Sequence, residues 1–190
     1  MKVLTLENER VKLTLLDLSN YLHLSAIANQ KKLIQYSPTD VESPESLKKF
    51  VQTAVENFNQ KNAIPFLVFD KEKNEYAGCT RYMNIDWKNS VIEIGSTWIG
   101  REFQGTGLNA NMKFLMLQYA FEVLKFDKVD FRADERNFAS RKAIEKLGAT
   151  FEGLLRKNVL MLDGFKRNTA CYGILKEEWP HIKATIFKNF

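Results

Sequence analysis

The chain of 190 residues has only two cysteines, Cys79 and Cys171, and only two histidines, His23 and His181. The cysteines show neither metal nor redox spacing, and no histidine neighbours Cys79 in a recognisable motif. Thiol-based nucleophilic catalysis and a metal centre are therefore not expected, and Cys79 reads as a small core residue. No apolar run reaches membrane-spanning length, and the start, Met1 to Glu7, lacks the apolar stretch of a secretory signal. Repeats, low-complexity tracts and linkers are absent too, so one domain over residues 1–190 is expected, with reduced thiols in the cytoplasm. The basic residues are scattered and match no nucleic-acid motif, which argues against nucleic acid as a partner. What is there is an ordinary globular composition, 45% hydrophobic and 27% charged, with a net charge of +5. That mild excess suits a ligand with several phosphates, and a solvated basic surface explains it equally well.

The most informative stretch runs from Ile99 to Met112. A strand-like run ends at Trp98, a turn carries Arg101, Gln104, Gly105, Thr106 and Gly107, and an apolar helix pattern begins at Leu108. Glycines let the backbone approach a ligand, and the first turn of a helix offers unpaired N–H groups at its positive end. Such a junction is suited to phosphate. Gly105-x-Gly107-x-x-Ala110 fits a dinucleotide fingerprint, with Asp130 near the spacing of a ribose-binding acid. Six residues separate Trp98 from Gly105, however, and Asp130 lies inside an apparent strand; nothing before Val91 reads as a series of βαβ units. A nicotinamide cofactor is therefore disfavoured.

Gln104-x-x-Gly107-x-Asn109 resembles the acetyl-CoA loop of the GNAT acetyltransferases, Gln/Arg-x-x-Gly-x-Gly/Ala, with Asn109 as a departure. Leu4-x-x-Glu7-x-x-Arg10-Val-x-Leu resembles the first strand of the RimJ/RimL-type N-acetyltransferases. Glu93-Ile-Gly95-x-x-Trp98-Ile99, Asn137-x-x-Ser140 with its helix to Ala149, and Phe151-Glu-Gly-x-Leu-Arg156 resemble later segments in the same order. The likeness covers nearly the whole chain.

Periodicity predicts strands over 10–15, 64–70, 76–86, 91–98 and 128–133, and a closing pair over 150–162 and 165–175 joined at Asp163-Gly164. Helices are expected over 18–29, 44–60, 107–124 and 137–147, the second started by Ser43 and Pro44 and the last capped by Asn137 and stopped by Gly148. Leu108, Met112, Leu115, Tyr119 and Val123 should form one stripe of the third. The order resembles that of GNAT folds, which implies an α/β (α+β) architecture: a mixed, mostly antiparallel central sheet of about seven strands with helices on both faces.

The resemblance implies transfer of an acetyl group from acetyl-CoA, as co-substrate and without a metal, directly to a primary amine such as a peptide α-amine. A small-molecule amine acceptor, or a GNAT fold that binds CoA without turnover, stays open, as does a homodimer. The pantetheine arm is expected along Ser96–Ile99, including Trp98, with Gly95 permitting a kink, and the pyrophosphate on the amides from Arg101 to Leu108. Arg101 reads equally as a phosphate contact or a solvated charge. Asn137 is first a helix N-cap; the resemblance adds a contact to pantetheine and makes Ser140 the donor to the leaving sulfur, no tyrosine being present at 141–147. Glu93 alternates with Gly95 and Thr97, opposite Ile92, Ile94 and Trp98 in a regular strand. A salt bridge or a base acting on the substrate ammonium explains it.

Overall fold

The computed structural model describes residues 4–190. Eight strands form one sheet in the order β1-β2-β3-β4-β5-β6-β8-β7. They are β1 (Thr5–Glu7), β2 (Val11–Leu15), β3 (Ile64–Asp70), β4 (Glu75–Asp86), β5 (Val91–Ile99), β6 (Lys128–Asp134), β7 (Thr150–Leu160) and β8 (Lys166–Leu175). All neighbours are antiparallel except β5 and β6. The helices are α1 (Ser25–Ala28), α2 (Pro44–Asn59), α3 (Leu108–Gln118), α4 (Phe138–Glu145) and α5 (Trp179–Thr185). The mixed sheet expected from the resemblance is present. It has one strand more than the seven expected, the three-residue edge strand β1, too short to leave a periodic signal.

Two cores divide the sheet faces. On one, Ile92, Ile94 and Ile99 of β5 pack with Met112, Leu115 and Met116 of α3, Ile144 of α4 and Trp179 of α5. On the other, Cys79 and Trp98 pack with Leu47, Phe50 and Val51 of α2. Helix α2 begins where expected. Ser43 Oγ accepts from the Ser46 N–H, Ser46 Oγ accepts from the Ser43 N–H, and Pro44 occupies the first turn.

Two expectations about helices are corrected, and one helix is new. Residues 18–29 form a 3-10 turn, Tyr21–Leu24, followed by the single turn α1. Asn20 donates to the Leu15 carbonyl and accepts the Asp17 N–H, while the Asp17 carboxylate takes the Ser19 N–H. These side-chain bonds compete with helix hydrogen bonds. Helix α3 changes at Gln118 into a π-turn, Tyr119–Val123, whose wider winding swings Val123 off the stripe to 59% exposure. The C-terminal helix α5 was not anticipated, although Trp179 and Ile182 anchor it in the core. No helix of the described residues is long and apolar enough to cross a membrane.

Candidate active site at the parallel strand pair

β5 and β6 pair only over Val91–Glu93 and Lys128–Asp130, although β5 continues to Ile99 and β6 to Asp134. Beyond Glu93 the two strands part. β4 still pairs with β5 and β8 with β6, so the backbone that β5 and β6 turn toward each other is left without a strand partner. The gap opens toward the carboxyl ends of the parallel pair, where ligands bind in open sheets of this kind.

The kink in β5 is a bulge: Cys79 pairs with Trp98 and Arg81 with Gly95, so three steps on β5 match two on β4. Ser96 carries it, at φ 44°, and not Gly95 as expected. Gly95 serves a different need. A Cβ there would stand 2.9 Å from Met83 Sδ and 3.2 Å from Glu93 Oε1. The bulge also corrects the expected alternation. Thr97 turns toward α3, where its Oγ1 lies 2.7 Å from Thr80 Oγ1, whereas Trp98 joins Phe50 on the α2 face. Glu93 and Trp98 therefore share a face, and Thr97 leaves it. A single inserted residue reverses every direction after it.

At the end of β5, Gly105 (φ 75°) and Gly107 (φ 87°) adopt backbone that favours glycine, and a Cβ on either would meet nothing within 4 Å. Gly107 is the N-cap of α3 and supplies no side-chain acceptor to its first amides. The cradle is thus open above a helix N-terminus, which fits a phosphate-bearing ligand. Gln104 closes it from below, its Nε2 donating to the Ile99 carbonyl at 3.2 Å, and Thr106 Oγ1 donates to the Phe103 carbonyl at 2.8 Å. The guanidinium of Arg101 donates to the Lys31 carbonyl, and its N–H to Gln30 Oε1. Arg101 therefore ties this loop to the segment after α1. A pocket of about 290 Å3 continues from Gly105 and Gly107 between Ala110, Lys146, Leu147 and Phe190.

Helix α4 follows β6 directly, which stands Asn137 and Ser140 at the far lip of the gap. Asn137 is the N-cap, its Oδ1 accepting the Ser140 N–H at 3.1 Å, and both residues are half-buried. Glu93 lies at the closed end of the gap on the other face, 6% exposed. Asn84, turned by a second bulge to φ 49°, donates to Glu93 Oε2 at 2.8 Å, and Arg132 Nε of β6 approaches the same oxygen at 3.4 Å. Burial raises the Glu93 carboxyl above the ordinary range, and Asn84 and Arg132 offset part of that rise. Glu93 and the Asn137–Ser140 turn thus follow the diverging strands β5 and β6, Ser140 on the side of α4 and Glu93 on that of α2, while Arg101 is engaged with Lys31.

Lys113 of α3 was not anticipated. It is 5% exposed and donates to Thr97 Oγ1 at 2.7 Å, and burial brings its ammonium down to about 7. Nothing in the helical pattern marks it, because its partners come from β4 and β5. Cys79, pushed up to about 12 by burial, stays a thiol in the core, as read from the sequence. Among the described residues no cluster of three or more His, Cys, Asp or Glu side chains could hold a metal ion.

The comparisons with known proteins agree with this geometry. Residues 10–150 match the family described as an acetyltransferase (GNAT) domain. YdaF of Bacillus subtilis (strain 168), which carries the provisional name of a ribosomal N-acetyltransferase, is 29% identical over 90% of this chain and 94% of its own. A GCN5-related N-acetyltransferase from Brucella melitensis superposes with a TM-score of 0.89 at 26% identity, over 99% of this chain and 86% of that one. The ribosomal-protein-S5-alanine acetyltransferase of Vibrio fischeri shares the fold, with a TM-score of 0.75 at 21% identity over 93% of this chain and 98% of that one. The chain belongs to the GNAT acetyltransferase family. It is an acyltransferase, and its likeness to the ribosomal type of N-acetyltransferase is met in YdaF.

Proposed function

We propose that the protein carries an acetyl group from acetyl-CoA directly to a primary amine, with a peptide α-amine as the first acceptor to consider. The observation that carries this reading is the parting of β5 and β6 immediately after Glu93, with a glycine cradle at the end of one strand and Asn137 and Ser140 at the end of the other. The name borne by YdaF supports a protein acceptor.

Acetyl-CoA arrives already activated, so the protein's task is alignment and proton handling. Gly105, Thr106, Gly107 and Leu108, steadied by Gln104, would hold the pyrophosphate with backbone amides. The open edge of β5 from Ser96 to Ile99, with Trp98, would pair with the pantetheine amides, and Asn137 would meet them from α4. β5 amides facing the gap would stabilise the developing oxyanion. Ser140 would protonate the departing thiolate. Glu93 would take the ammonium proton, directly or through water, before attack. An α-amine begins near a pKa of about 8 against about 10.4 for lysine, so one partly screened carboxylate suffices for the former. Arg101, engaged with Lys31, is given no more than a peripheral part.

The test is release of free thiol from acetyl-CoA in the presence of peptides with free or blocked N-termini, polyamines and aminoglycosides. Transfer to free peptide N-termini supports the reading. Preference for lysine in blocked peptides, or for a small amine, overturns the acceptor. CoA binding without thiol release under every acceptor overturns catalysis and leaves a CoA-binding sensor.

A further inference from the structure

On the α2 face, beside Glu93, lies a second pocket of about 330 Å3 lined by Arg81, Met83, Asn84, Asn57 and Asn62. Its chemistry is one-sided. Arg81 is 7% exposed, its Nη2 is buried without a hydrogen-bond partner, and among the described residues no carboxylate forms an ion pair with it. The guanidinium rests on the Phe50 ring, 4.3 Å from its centroid. On the same ring packs Trp98, whose indole Nε1 is a second buried donor without a partner. A buried charge without a counter-ion is costly, and an aromatic face offsets only part of that cost. The pocket thus presents one guanidinium without a counter-ion and the amides of Asn57, Asn62 and Asn84, a lining complementary to an acceptor of hydrogen bonds that carries negative charge.

Its position gives the pocket a role. Arg81 is the cross-strand partner of Gly95, one residue before the Ser96 bulge and two after Glu93. Asn84 lines the pocket and holds Glu93 at the same time. A molecule whose amine reaches Glu93 therefore has its remaining body beside Arg81. The geometry points to an acceptor subsite for a carboxylate: Arg81, helped by the pocket amides, selects amines that carry an acidic group near the reacting nitrogen. This rests on the acetyl-transfer reading above and narrows it from any primary amine to acidic ones. A carboxylate of this kind comes either from an acidic side chain near a peptide N-terminus or from a free amino acid.

Matched acceptors decide the matter with the wild-type protein: peptides with Glu or Gln at the first, second or third residue, and free glutamate against glutamine. The acidic member of at least one pair should have a kcat/KM about tenfold higher or more, as expected for a charge-assisted contact in a buried site. The pair that shows it names the source. Equal rates, or preference for the amides, across all pairs overturn the subsite. Arg81→Met should abolish the preference mainly through KM for the acidic acceptor, and Arg81→Lys should restore part of it. A fall in kcat shared equally by acidic and neutral acceptors would instead make Arg81 part of oxyanion stabilisation and overturn selection. Thermal shifts with the N-acetylated members of each pair read the same pocket without turnover. Selective stabilisation by the acidic products while no amine is acetylated would overturn the transfer reading and keep the subsite.

Discussion

The two sides of the β5–β6 gap are built by different means. On the side of α3 and α4 the cradle is main chain: Gly105, Gly107 and the first amides of α3, with a half-buried Ser140, and a buried charge there, Lys113, is spent on Thr97. On the α2 side the site is side chain, and its charges are buried: Glu93 at 6% and Arg81 at 7% exposure. A backbone cradle accepts one shared chemical group, phosphate, whatever it is attached to. Buried charges are costly to hold and discriminate sharply between partners. On the acetyl-transfer reading proposed above, the first side would serve the shared chemistry and the second would set the acceptor.

The largest expected break in this comparison is Gly107→Arg. The new side chain would occupy the open space over the cradle, and its φ of 87° would cost about 1–2 kcal/mol of stability. Acetyl-CoA at a hundred times its Kd should stabilise the wild type by about 2.7 kcal/mol, read as a rise in Tm, and the variant should show none of it. NAD should do little in either. A strong shift with NAD and none with CoA would contradict the assignment of the cradle.

Ser140→Ala comes next and tests the main-chain side for its one reacting side chain. Loss of a general acid should lower kcat by about a hundredfold with the CoA-induced Tm shift intact. Unchanged turnover at saturating substrate would return Ser140 to the helix turn.

Glu93→Gln acts on the other side and should be smaller, about tenfold in kcat/KM at neutral pH. Because burial raises the Glu93 carboxyl, the wild-type rate should fall at acid pH as this group takes up a proton. The deficit of the variant should be greatest below a pH of about 8 and shrink above it, as the α-amine deprotonates unaided. A loss that is flat across pH would make Glu93 a structural charge paired with Arg132.

The smallest effect sharpens the boundary between the sides, where Lys113 supports Thr97 behind the bulge. Its ammonium is lowered to about 7 in the fold, so between there and the ordinary lysine value of about 10.4 the unfolded chain binds the extra proton. Stability should rise with pH in that window and be lowest, by the full penalty, below it. Cys79, pushed up to about 12, opposes the rise once free thiols ionise above about 8.5. The net increase is thus confined to about pH 7 to 8.5. Lys113→Met should flatten it and add about 1–3 kcal/mol at neutral pH, measured by denaturant unfolding. A slope that survives the substitution would place its origin elsewhere.

How much could be read in advance follows the same division. Gly105 and Gly107 were legible because only glycine enters those backbone angles readily, and Ser43, Asn137 and Gly148 because caps and stops are local chemistry. Strand β3 was anticipated over the residues it occupies, 64–70, since a short apolar run bounded by polar turn residues reads as a strand buried on both faces. The face of Trp98 and the position of the kink were not legible. They depend on one unpaired residue, Ser96, whose angle is set by its neighbours in β4 and not by its own preference. Arg101 likewise met Lys31, seventy positions away, which no spacing rule anticipates.

Sequence alone determined where the chain turns, which segments have an apolar face, and that a glycine turn precedes α3, because each is a property of neighbours along the chain. Tertiary structure decided that β5 and β6 part after Glu93, that Lys113 is buried on Thr97, and that Arg81 is buried without a carboxylate on the α2 face. Those outcomes depend on pairing register and burial among distant segments, and the energy of a charge is set by what surrounds it after folding.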